Sequence, residues 1–413
     1  MKLVLQRRID RYLGTPLCLF LSLLNYLQVK KNIPLLQPKK ILVILLSEMG
    51  SVVLAKPMFD HIQTAHPSAE IFVLVFKKNE ELVKLLNLAP DKNIISIRDT
   101  TLPEFVSDSI KAVIKMRQVG IDAVLDCELF SRIGSIVSFL SGAKLRVGFY
   151  PYTQEGLYRG SFINRRVIYN PYVHISQQFV SLAESLESNT VPLMKRQLEG
   201  KPFTLAPIPL DRRDVEKWKL KFESDFPAIV GSKLIALYPS GGLLPLRAWP
   251  IDHYCAIAKN FIANGYAVGV IGLNHEKILA ETILSYCDHN KCIDLTGYTK
   301  TIRELLFILQ YSILLATNDS GPGHFAALVQ TPTVILYGPE TPVLYASLSE
   351  KTAAIYHDFS CSPCLTAYNH RNSPCDGDNI CLKSITVAEV LYQSYGIIGK
   401  NEGEARFNRN ICG

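Results

Sequence analysis

The sequence predicts a protein of the α/β class with two doubly wound parallel sheets. Three observations carry this prediction. Short apolar runs alternate with amphipathic stretches of helical length, the alternation stops at a proline-containing segment near mid-chain, and it then starts again. Strict alternation of strand and helix is typical of parallel sheets with crossover helices. A chain of 413 residues is also long enough for two domains.

The first half contains five strand-like runs separated by stretches of helical length. The runs are residues 41–46, 69–76, 93–97, 122–127 and 144–149, and helices are expected at about 53–65, 79–87, 104–119 and 131–141. Ligands bind to such sheets at the carboxyl ends of strands. The loop after the first run, which contains Glu48, Gly50 and Ser51, is therefore expected to be part of an active site.

The pattern breaks at residues 190–214, where four prolines and mixed charges indicate a linker. Strand-like runs resume at 234–239, 266–272, 291–297, 313–319 and 331–338, with helices expected at 251–263, 275–286, 301–310 and from about 322. The predicted divisions are an N-terminal helical segment 1–35, a first domain 36–195, a linker 196–215, a second domain 216–395 and a tail 396–413. Two such domains facing each other would form the active site in the cleft between them.

Composition excludes several classes of protein. A hydrophobic content of 48% and a charged content of 20% describe a globular chain. The net charge of +7 suits an anionic ligand or surface, but the Lys and Arg residues are not clustered as in a nucleic-acid binder, so no nucleic-acid partner is expected. Ten cysteines in 413 residues are too few for a disulfide-rich secreted scaffold, which makes a reducing cytosol the default compartment.

The N-terminal segment combines an apolar stretch, residues 12–29, with basic flanks and has no A-x-A cleavage site. The basic residues are Arg7, Arg8, Arg11, Lys30 and Lys31. The leading interpretation is a helix lying on an anionic membrane surface. A helix packed on the domain and a membrane-spanning helix are the alternatives, although the stretch is shorter than a bilayer requires and Pro16 and Asn25 interrupt it.

The most informative motif is residues 314–342, where a buried strand runs into Asp319, Ser320 and Gly321. Pro322 suits the first turn of a following helix, and Ser320 or Asp319 is expected to cap that helix. Amide groups at such a helix start bind phosphate, and His324 adds a further polar group. An ordinary capped helix is the alternative.

Residues 318–342, "NDSGPGHFAALVQTPTVILYGPETP", resemble the signature of glycosyltransferase family 9, the lipopolysaccharide heptosyltransferase family. The similarity extends to "YPSGGLLPLRAWPIDHY" (238–254), to "GAKLRVGF" (142–149) and to the first strand and its loop. The resemblance implies a GT-B fold, with two Rossmann-like domains facing a central cleft. It also implies inverting, metal-independent transfer of a sugar from a nucleotide-sugar, with a donor similar to ADP-heptose and no required cofactor.

The resemblance assigns donor-binding roles to several residues. Arg247 matches a basic position that contacts the donor phosphates, and Glu276 resembles a nucleoside-contacting glutamate. A surface arginine on a flexible loop and a first-turn helix charge favoured by the helix dipole are the respective alternatives. The implied acceptor is lipopolysaccharide core or another lipid-linked glycan, which predicts a cytoplasmic protein in peripheral contact with the inner face of the cytoplasmic membrane.

The first loop departs from the family pattern at the position expected to carry the catalytic base. The family usually has Asp after Met-Gly or Leu-Gly, whereas this chain has Ser51 after Gly50. A serine hydroxyl is not a useful base at neutral pH, so Glu48, the nearest carboxylate, is the predicted base. Asp319 or His324 in that role, or no competent base at all, are the alternatives.

Four cysteines, Cys361, Cys364, Cys375 and Cys381, cluster at residues 361–381 with spacings that permit a structural zinc site. A redox-dependent disulfide and a reduced structural loop remain as alternatives, and no role in catalysis is expected. Two other functions compete with the transferase: a non-catalytic binder of nucleotide-sugar or glycolipid, which Ser51 permits, and a sugar-nucleotide epimerase. Turnover that depends on an acceptor would distinguish the transferase from both.

Overall fold

The computed structural model describes residues 3–28, 37–46, 48–129, 131–150, 157–190, 192–195, 197–198, 203–368 and 372–411. The chain divides into two compact units. Unit 1 consists of Met1–Phe203 with Leu365–Asn372, and unit 2 consists of Thr204–Cys364 with Ser373–Gly413.

Unit 1 is built on a six-stranded, fully parallel sheet in the order β3-β2-β1-β4-β5-β6. Its strands are β1 (Lys40–Ile44), β2 (Glu70–Phe76), β3 (Ile94–Ile97), β4 (Ala123–Asp126), β5 (Leu145–Tyr150) and β6 (Arg165–Ile168). Its helices are α1 (Leu3–Ile9), α2 (Thr15–Gln28), α3 (Met49–Leu54), α4 (Lys56–Ala65), α5 (Glu80–Leu85), α6 (Leu102–Val119), α7 (Ile133–Leu140) and α8 (Ile175–Glu184), and a π-helical turn, Asp10–Gly14, joins α1 to α2.

Unit 2 repeats this plan with a parallel sheet in the order β12-β11-β10-β7-β8-β9. Its strands are β7 (Leu234–Tyr238), β8 (Ala267–Gly272), β9 (Cys292–Thr296), β10 (Ser312–Asn318), β11 (Thr333–Tyr337) and β12 (Thr352–Tyr356). Its helices are α9 (Arg212–Asp225), α10 (Ile251–Ala263), α11 (Lys277–Cys287), α12 (Ile302–Tyr311), α13 (Gly321–Leu328), α14 (Pro342–Tyr345), α15 (Ile380–Lys383) and α16 (Val387–Ile411). The predicted α/β class with two doubly wound domains is confirmed.

Local chemistry accounts for the helix boundaries. Thr301 begins α12 with a capping box, in which its hydroxyl accepts a hydrogen bond from the Glu304 amide at 3.1 Å. At the other end of a helix, Gly120 stops α6 in the left-handed conformation, with φ of +74°, which glycine adopts without a steric penalty.

The strand order of each sheet reverses direction at one point, and the two points locate the candidate sites. In unit 1 the chain adds β2 and β3 on one side of β1, and then returns to place β4 on the other side. In unit 2 the same reversal lies between β7 and β10. Loops leaving adjacent strands in opposite directions open a crevice at their carboxyl ends, where ligands of such folds bind.

The structure adds elements that the apolar pattern did not predict. Two of the four edge strands, β6 and β12, were missed. Strand β6 carries two arginines, Arg165 and Arg166, and β12 buries only one of its five residues, so neither has the apolar pattern of a core strand. Helix α9 begins within the predicted linker, and α16 continues through most of the predicted tail. The remainder of that tail, residues 412–413, and parts of the linker lie outside the described residues.

The N-terminal segment packs on unit 1, as the second of its three interpretations predicted. Cys18 and Leu21 are buried in a cluster with Ile136 and Phe162. None of the helices within the described ranges is long and apolar enough to cross a bilayer. The predicted basic flank at Lys30 and Lys31 lies outside the described residues.

Candidate functional site

The reversal point of unit 2 brings together the loops that leave β7 and β10. Asn318 ends β10 and is completely buried. Its side-chain nitrogen donates to the carbonyls of Pro239 and Ser240, at 3.0 and 3.1 Å. Its side-chain oxygen accepts from the Trp249 amide at 3.0 Å and from the Tyr254 hydroxyl at 3.1 Å. One side chain thus ties the 239–249 loop to the end of β10.

Trp249 also holds the 239–249 loop in place. Its ring is 1% exposed and its indole nitrogen donates to the Ile385 carbonyl at 3.0 Å. This burial and bonding give Trp249 a structural role. The loop that carries Arg247 is therefore fixed at its C-terminal end by both the backbone and the ring of one residue.

Arg247 lies in a short 3-10 helix, Pro245–Arg247, and its side chain is only 9% exposed. Its Nη2 atom is 2.8 Å from Glu340 Oε2, and its Nε atom is 3.7 Å from Asp319 Oδ2. The alternative of a solvated surface arginine is wrong for this position. Buried charges need close partners of opposite sign, so Arg247, Asp319 and Glu340 form one interdependent cluster at the reversal point.

Glu340 is the member of this cluster that sequence reasoning missed. It lies in "GPETP" after β11, within the motif that carried the family resemblance. Its side chain is 2% exposed. A buried carboxylate is recognised from sequence only when its cationic partner is known, and Arg247 is remote from it along the chain.

Ser320 occupies the N-cap position of α13, but its side chain makes no capping hydrogen bond. Its hydroxyl instead donates to the Asn318 carbonyl at 2.9 Å and lies 3.0 Å from Thr317 Oγ1. The predicted capping by Ser320 is wrong, because the hydroxyl turns back toward the strand. The Ser320 side chain therefore does not cap the first turn of α13.

Gly321 and His324 lie at the start of α13. A Cβ atom added at Gly321 would meet only ring atoms of Phe325, at 3.5 Å, which is ordinary contact. Packing within the chain therefore does not require glycine at this position. Pro322 lies in the first turn as predicted, and His324 is buried one turn along.

Glu276 follows β8 and is buried, with hydrogen bonds to both carboxylate oxygens. One oxygen accepts from the Leu273 amide at 2.6 Å and the other from the Tyr238 hydroxyl at 3.2 Å. Burial, followed by the nearby Glu276 charge, raises the pKa of Tyr238, so its hydroxyl remains a donor at physiological pH. Glu276 thereby links the loop after β8 to the end of β7.

The reversal point of unit 1 holds the first loop. Glu48 precedes α3 with an extended backbone and makes no side-chain capping bond to it. Gly50 is buried and Ser51 is half-buried within the helix, and the Ser51 amide donates to the Glu48 carbonyl at 3.1 Å. Glu48 and Ser51 therefore flank a single turn at the carboxyl end of β1.

A buried acidic residue from the neighbouring strand positions this loop. Glu128 follows β4, and its Oε1 atom accepts from the Leu46 amide at 2.6 Å. Asn79 donates to the carbonyl of the same residue, Leu46, at 3.3 Å. Both polar backbone groups of Leu46 are thus held by buried side chains, which fixes the start of the loop that carries Glu48.

Asp126 is a further buried acidic residue at the reversal point of unit 1, and it was not predicted from the sequence. It is fully buried, forms an ion pair with Arg159 and accepts from the Glu128 amide at 3.1 Å. Burial raises the pKa of Asp126 to about 6, against the lowering effect of Arg159. A Cβ atom at Gly134 would lie 2.3 Å from Asp126 Oδ1, so only glycine fits there. The available signal was the pair of acidic residues directly after an apolar run.

The four clustered cysteines belong to unit 2 and differ in exposure. Cys361 and Cys375 are exposed, Cys364 is half-buried and Cys381 is buried. Cys364 Sγ accepts a hydrogen bond from Ser373 Oγ at 3.1 Å. Across the described residues, no three His, Cys, Asp or Glu side chains are arranged to hold a metal ion. The zinc site that the cysteine spacing permits stays a prediction.

A two-domain α/β protein with polar loops at the reversal point of each sheet has the architecture of the GT-B glycosyltransferases. The chain belongs to glycosyltransferase family 9 (heptosyltransferase), whose family profile matches residues 114–373, more than half of its length. The resemblance noted in the sequence is confirmed at the level of the family.

Individual relatives agree with this assignment. The chain is 29% identical to lipooligosaccharide heptosyltransferase 2 of Haemophilus ducreyi over 45% of its own length and 53% of that protein. It is also 29% identical to lipooligosaccharide heptosyltransferase 2 of Haemophilus influenzae, over 45% of its own length and 52% of that protein. The alignments thus span about half the length of these curated relatives.

The fold is also that of a solved family structure. The structure of E. coli ADP-heptose lps heptosyltransferase II aligns with a TM-score of 0.67 and 21% identity, covering 88% of this chain and 99% of that chain. At this level of identity the similarity concerns the fold.

The buried hydrogen bonds of the Asn318 side chain give a first prediction. We expect Asn318→Ala to lower the free energy of unfolding of unit 2 by about 3 kcal/mol or more, because each buried group left unpaired costs roughly 1–3 kcal/mol. Both tryptophans, Trp218 and Trp249, belong to unit 2, so urea unfolding followed by tryptophan fluorescence reports on this unit. Asn290→Ala, at an exposed position, is the control. Equal losses in the two variants would contradict the anchoring role.

Proposed function

We propose that the protein is an inverting, metal-independent glycosyltransferase that moves a heptose or related sugar from a nucleotide-sugar to lipopolysaccharide core or another lipid-linked glycan. The donor is expected to be similar to ADP-heptose. The observation that carries the proposal is the buried cluster of Arg247 with Asp319 and Glu340 beside the start of α13, in a chain of glycosyltransferase family 9.

The donor side of the proposed reaction depends on charge. Departure of a nucleoside diphosphate develops negative charge on its phosphate oxygens, and fixed cations and amides stabilise that charge best when they are already oriented. The Arg247 guanidinium and the first-turn amides of α13 are such groups. They would take the part that a metal ion plays in other transferases. Glu276, held between Leu273 and Tyr238, is proposed to contact the nucleoside.

Asp319 and Glu340 would also affect how strongly the donor site binds a diphosphate. Glu340 Oε2 and Asp319 Oδ2 lie 2.8 and 3.7 Å from nitrogen atoms of the Arg247 side chain, so the guanidinium already has two acidic neighbours. A diphosphate would compete with them for Arg247 and add its own hydrogen bonds at the helix start. We propose that Asp319, Ser320, Gly321 and His324 line this donor site.

The acceptor side is proposed to use Glu48 as the general base. In a single displacement, the acceptor hydroxyl attacks the anomeric carbon as a base removes its proton. The oxygen–carbon bond forms while the bond to the diphosphate breaks, which inverts the anomeric centre. Glu48 is proposed for this step because Ser51 cannot supply a carboxylate, and because the adjoining backbone at Leu46 is held rigidly.

The proposed acceptor implies a location. A lipid-linked glycan places the reaction at a membrane surface, and we propose peripheral contact with the inner face of the cytoplasmic membrane. The net charge of +7 favours an anionic leaflet. No role in transfer is proposed for the cysteine segment.

The test is donor turnover by the purified protein. We expect nucleotide release from ADP-heptose to be stimulated by a deacylated or detergent-solubilised lipopolysaccharide acceptor, and ADP-heptose alone to raise the melting temperature, because a bound ligand stabilises the folded state. Tight nucleotide binding without turnover on any acceptor would instead identify a non-catalytic binder, the function that Ser51 permits. Nucleotide release that does not depend on an acceptor would identify an enzyme acting on the donor alone.

A further inference from the structure

The N-terminal helix α2 and the π-helical turn before it have one face fixed to unit 1. Hydrogen bonds anchor this face at three positions along the chain, with donor–acceptor distances of 2.7 to 3.1 Å. The anchoring pairs are Arg132 with Asp10, Ser161 with Ser22 and Arg146 with Asn25. Together with buried Cys18 and Leu21, these bonds make the helix part of the domain rather than a loose tether.

The opposite face of the same helix is apolar and exposed. Its principal side chains are between 57% and 79% exposed, and they are Tyr12, Leu13, Phe20, Leu23, Tyr26 and Leu27. Residues 12–27 contain no charged residue. Monomeric soluble proteins rarely expose a contiguous apolar strip of this kind, and such a strip marks a surface that binds something else. We call this set of six residues the outer face.

Charge at one end of the outer face indicates what binds there. Arg8 and Arg11 are exposed directly before it, and Tyr12 and Tyr26 lie at its two ends. Aromatic side chains with a polar tip suit the boundary between lipid headgroups and acyl chains, and arginine suits anionic headgroups. A second copy of the chain is a poorer occupant, because each copy carries a net charge of +7 and like charges repel.

Anchoring along the chain sets the orientation of the helix. None of the helices in the described part of the chain is long and apolar enough to cross a bilayer. The helix is also anchored along its length to unit 1. We infer that α2 lies in the plane of a phospholipid surface containing anionic headgroups, with the outer face inserted and unit 1 held against the membrane. This inference deepens the membrane contact in the proposed function and rests on it.

The test measures sedimentation of the full chain with vesicles of phosphatidylcholine, with and without phosphatidylglycerol. We expect binding that increases with phosphatidylglycerol and that is weakened about tenfold or more in the double variant Phe20→Gln, Leu23→Gln, because interfacial binding scales with buried apolar area. The double variant Arg8→Gln, Arg11→Gln should lose most of the dependence on phosphatidylglycerol. Leu220→Gln with Ile278→Gln, which changes two exposed apolar residues of unit 2, is the matched control and should bind as the wild type does.

Three results would overturn the inference. They are absence of vesicle binding by the wild-type chain, equal weakening by the control pair, and loss of self-association rather than of vesicle binding in the Phe20 and Leu23 variant. Melting temperature and ADP binding verify that each variant is folded. Donor turnover on a deacylated acceptor, which needs no membrane, tests the proposed function separately. Turnover without vesicle binding would therefore refute the inference alone.

Discussion

Glu48→Gln is expected to abolish turnover while leaving donor affinity nearly intact. The substitution keeps the shape of the side chain but removes its ability to accept a proton, and a positioned general base contributes about 100- to 10,000-fold to the rate. Steady-state kinetics with saturating donor should show the loss in kcat, and calorimetry with ADP should show an unchanged dissociation constant.

Two further variants make this prediction specific. Glu187→Gln removes a carboxylate whose side chain is 57% exposed in the same unit, and we expect it to leave kcat unchanged. Ser51→Asp restores the carboxylate that the family usually has in this turn, and an acidic residue in the first turn of α3 is favourable to the helix. We expect Ser51→Asp to recover part of the activity of Glu48→Gln. Full turnover in Glu48→Gln alone would remove Glu48 from the role of base.

Arg247→Ala is expected to weaken donor binding and also to destabilise unit 2. Loss of a charge-assisted hydrogen bond to phosphate costs about 1.5–3 kcal/mol, or roughly 10- to 100-fold in affinity. Removing one partner of a buried ion pair costs about 3–5 kcal/mol of stability, because Glu340 and Asp319 are left without their cation. Calorimetry with ADP and urea unfolding measure the two effects.

A double variant separates binding from folding. Arg247→Met with Glu340→Gln removes one charge of each sign and retains most of the side-chain volume, so we expect it to regain much of the stability lost in Arg247→Ala. Donor affinity should stay low if the guanidinium contacts phosphate. Wild-type affinity in the folded double variant would show that Arg247 only maintains the loop.

The buried cluster also explains why a surface arginine and a donor-binding arginine are hard to distinguish from sequence. The loop around Arg247 contains Gly241 and Gly242, a composition typical of an exposed, mobile segment. Arg247 is buried because hydrogen bonds of Asn318 and Trp249 hold the loop against the ends of β7 and β10. A side chain fixed in this way would already be oriented for the proposed donor, which is the condition for strong electrostatic stabilisation.

The N-terminal segment shows a different limit of sequence reasoning. Its apolar stretch suggested a membrane helix, a packed helix or a spanning helix as competing interpretations. In the described structure Leu21 is buried on unit 1 while Phe20 and Leu23 are exposed, so the helix is packed on the domain and its contact with a membrane stays a proposal. Hydrophobicity alone did not assign the faces, because the buried and exposed residues are equally apolar.

The sequence by itself determined the α/β class, ten of the twelve strands in the described part of the chain and the motif around Asp319, Ser320 and Gly321. These features are local, because strand periodicity, helix starts and glycine turns are encoded by residues close together in the chain. Only the tertiary structure decided that Glu340 pairs with Arg247, that Glu128 holds the loop before Glu48, and which face of α2 remains exposed. Burial and ion pairing depend on residues far apart in sequence, and strand order brings those residues together only after the sheets have formed.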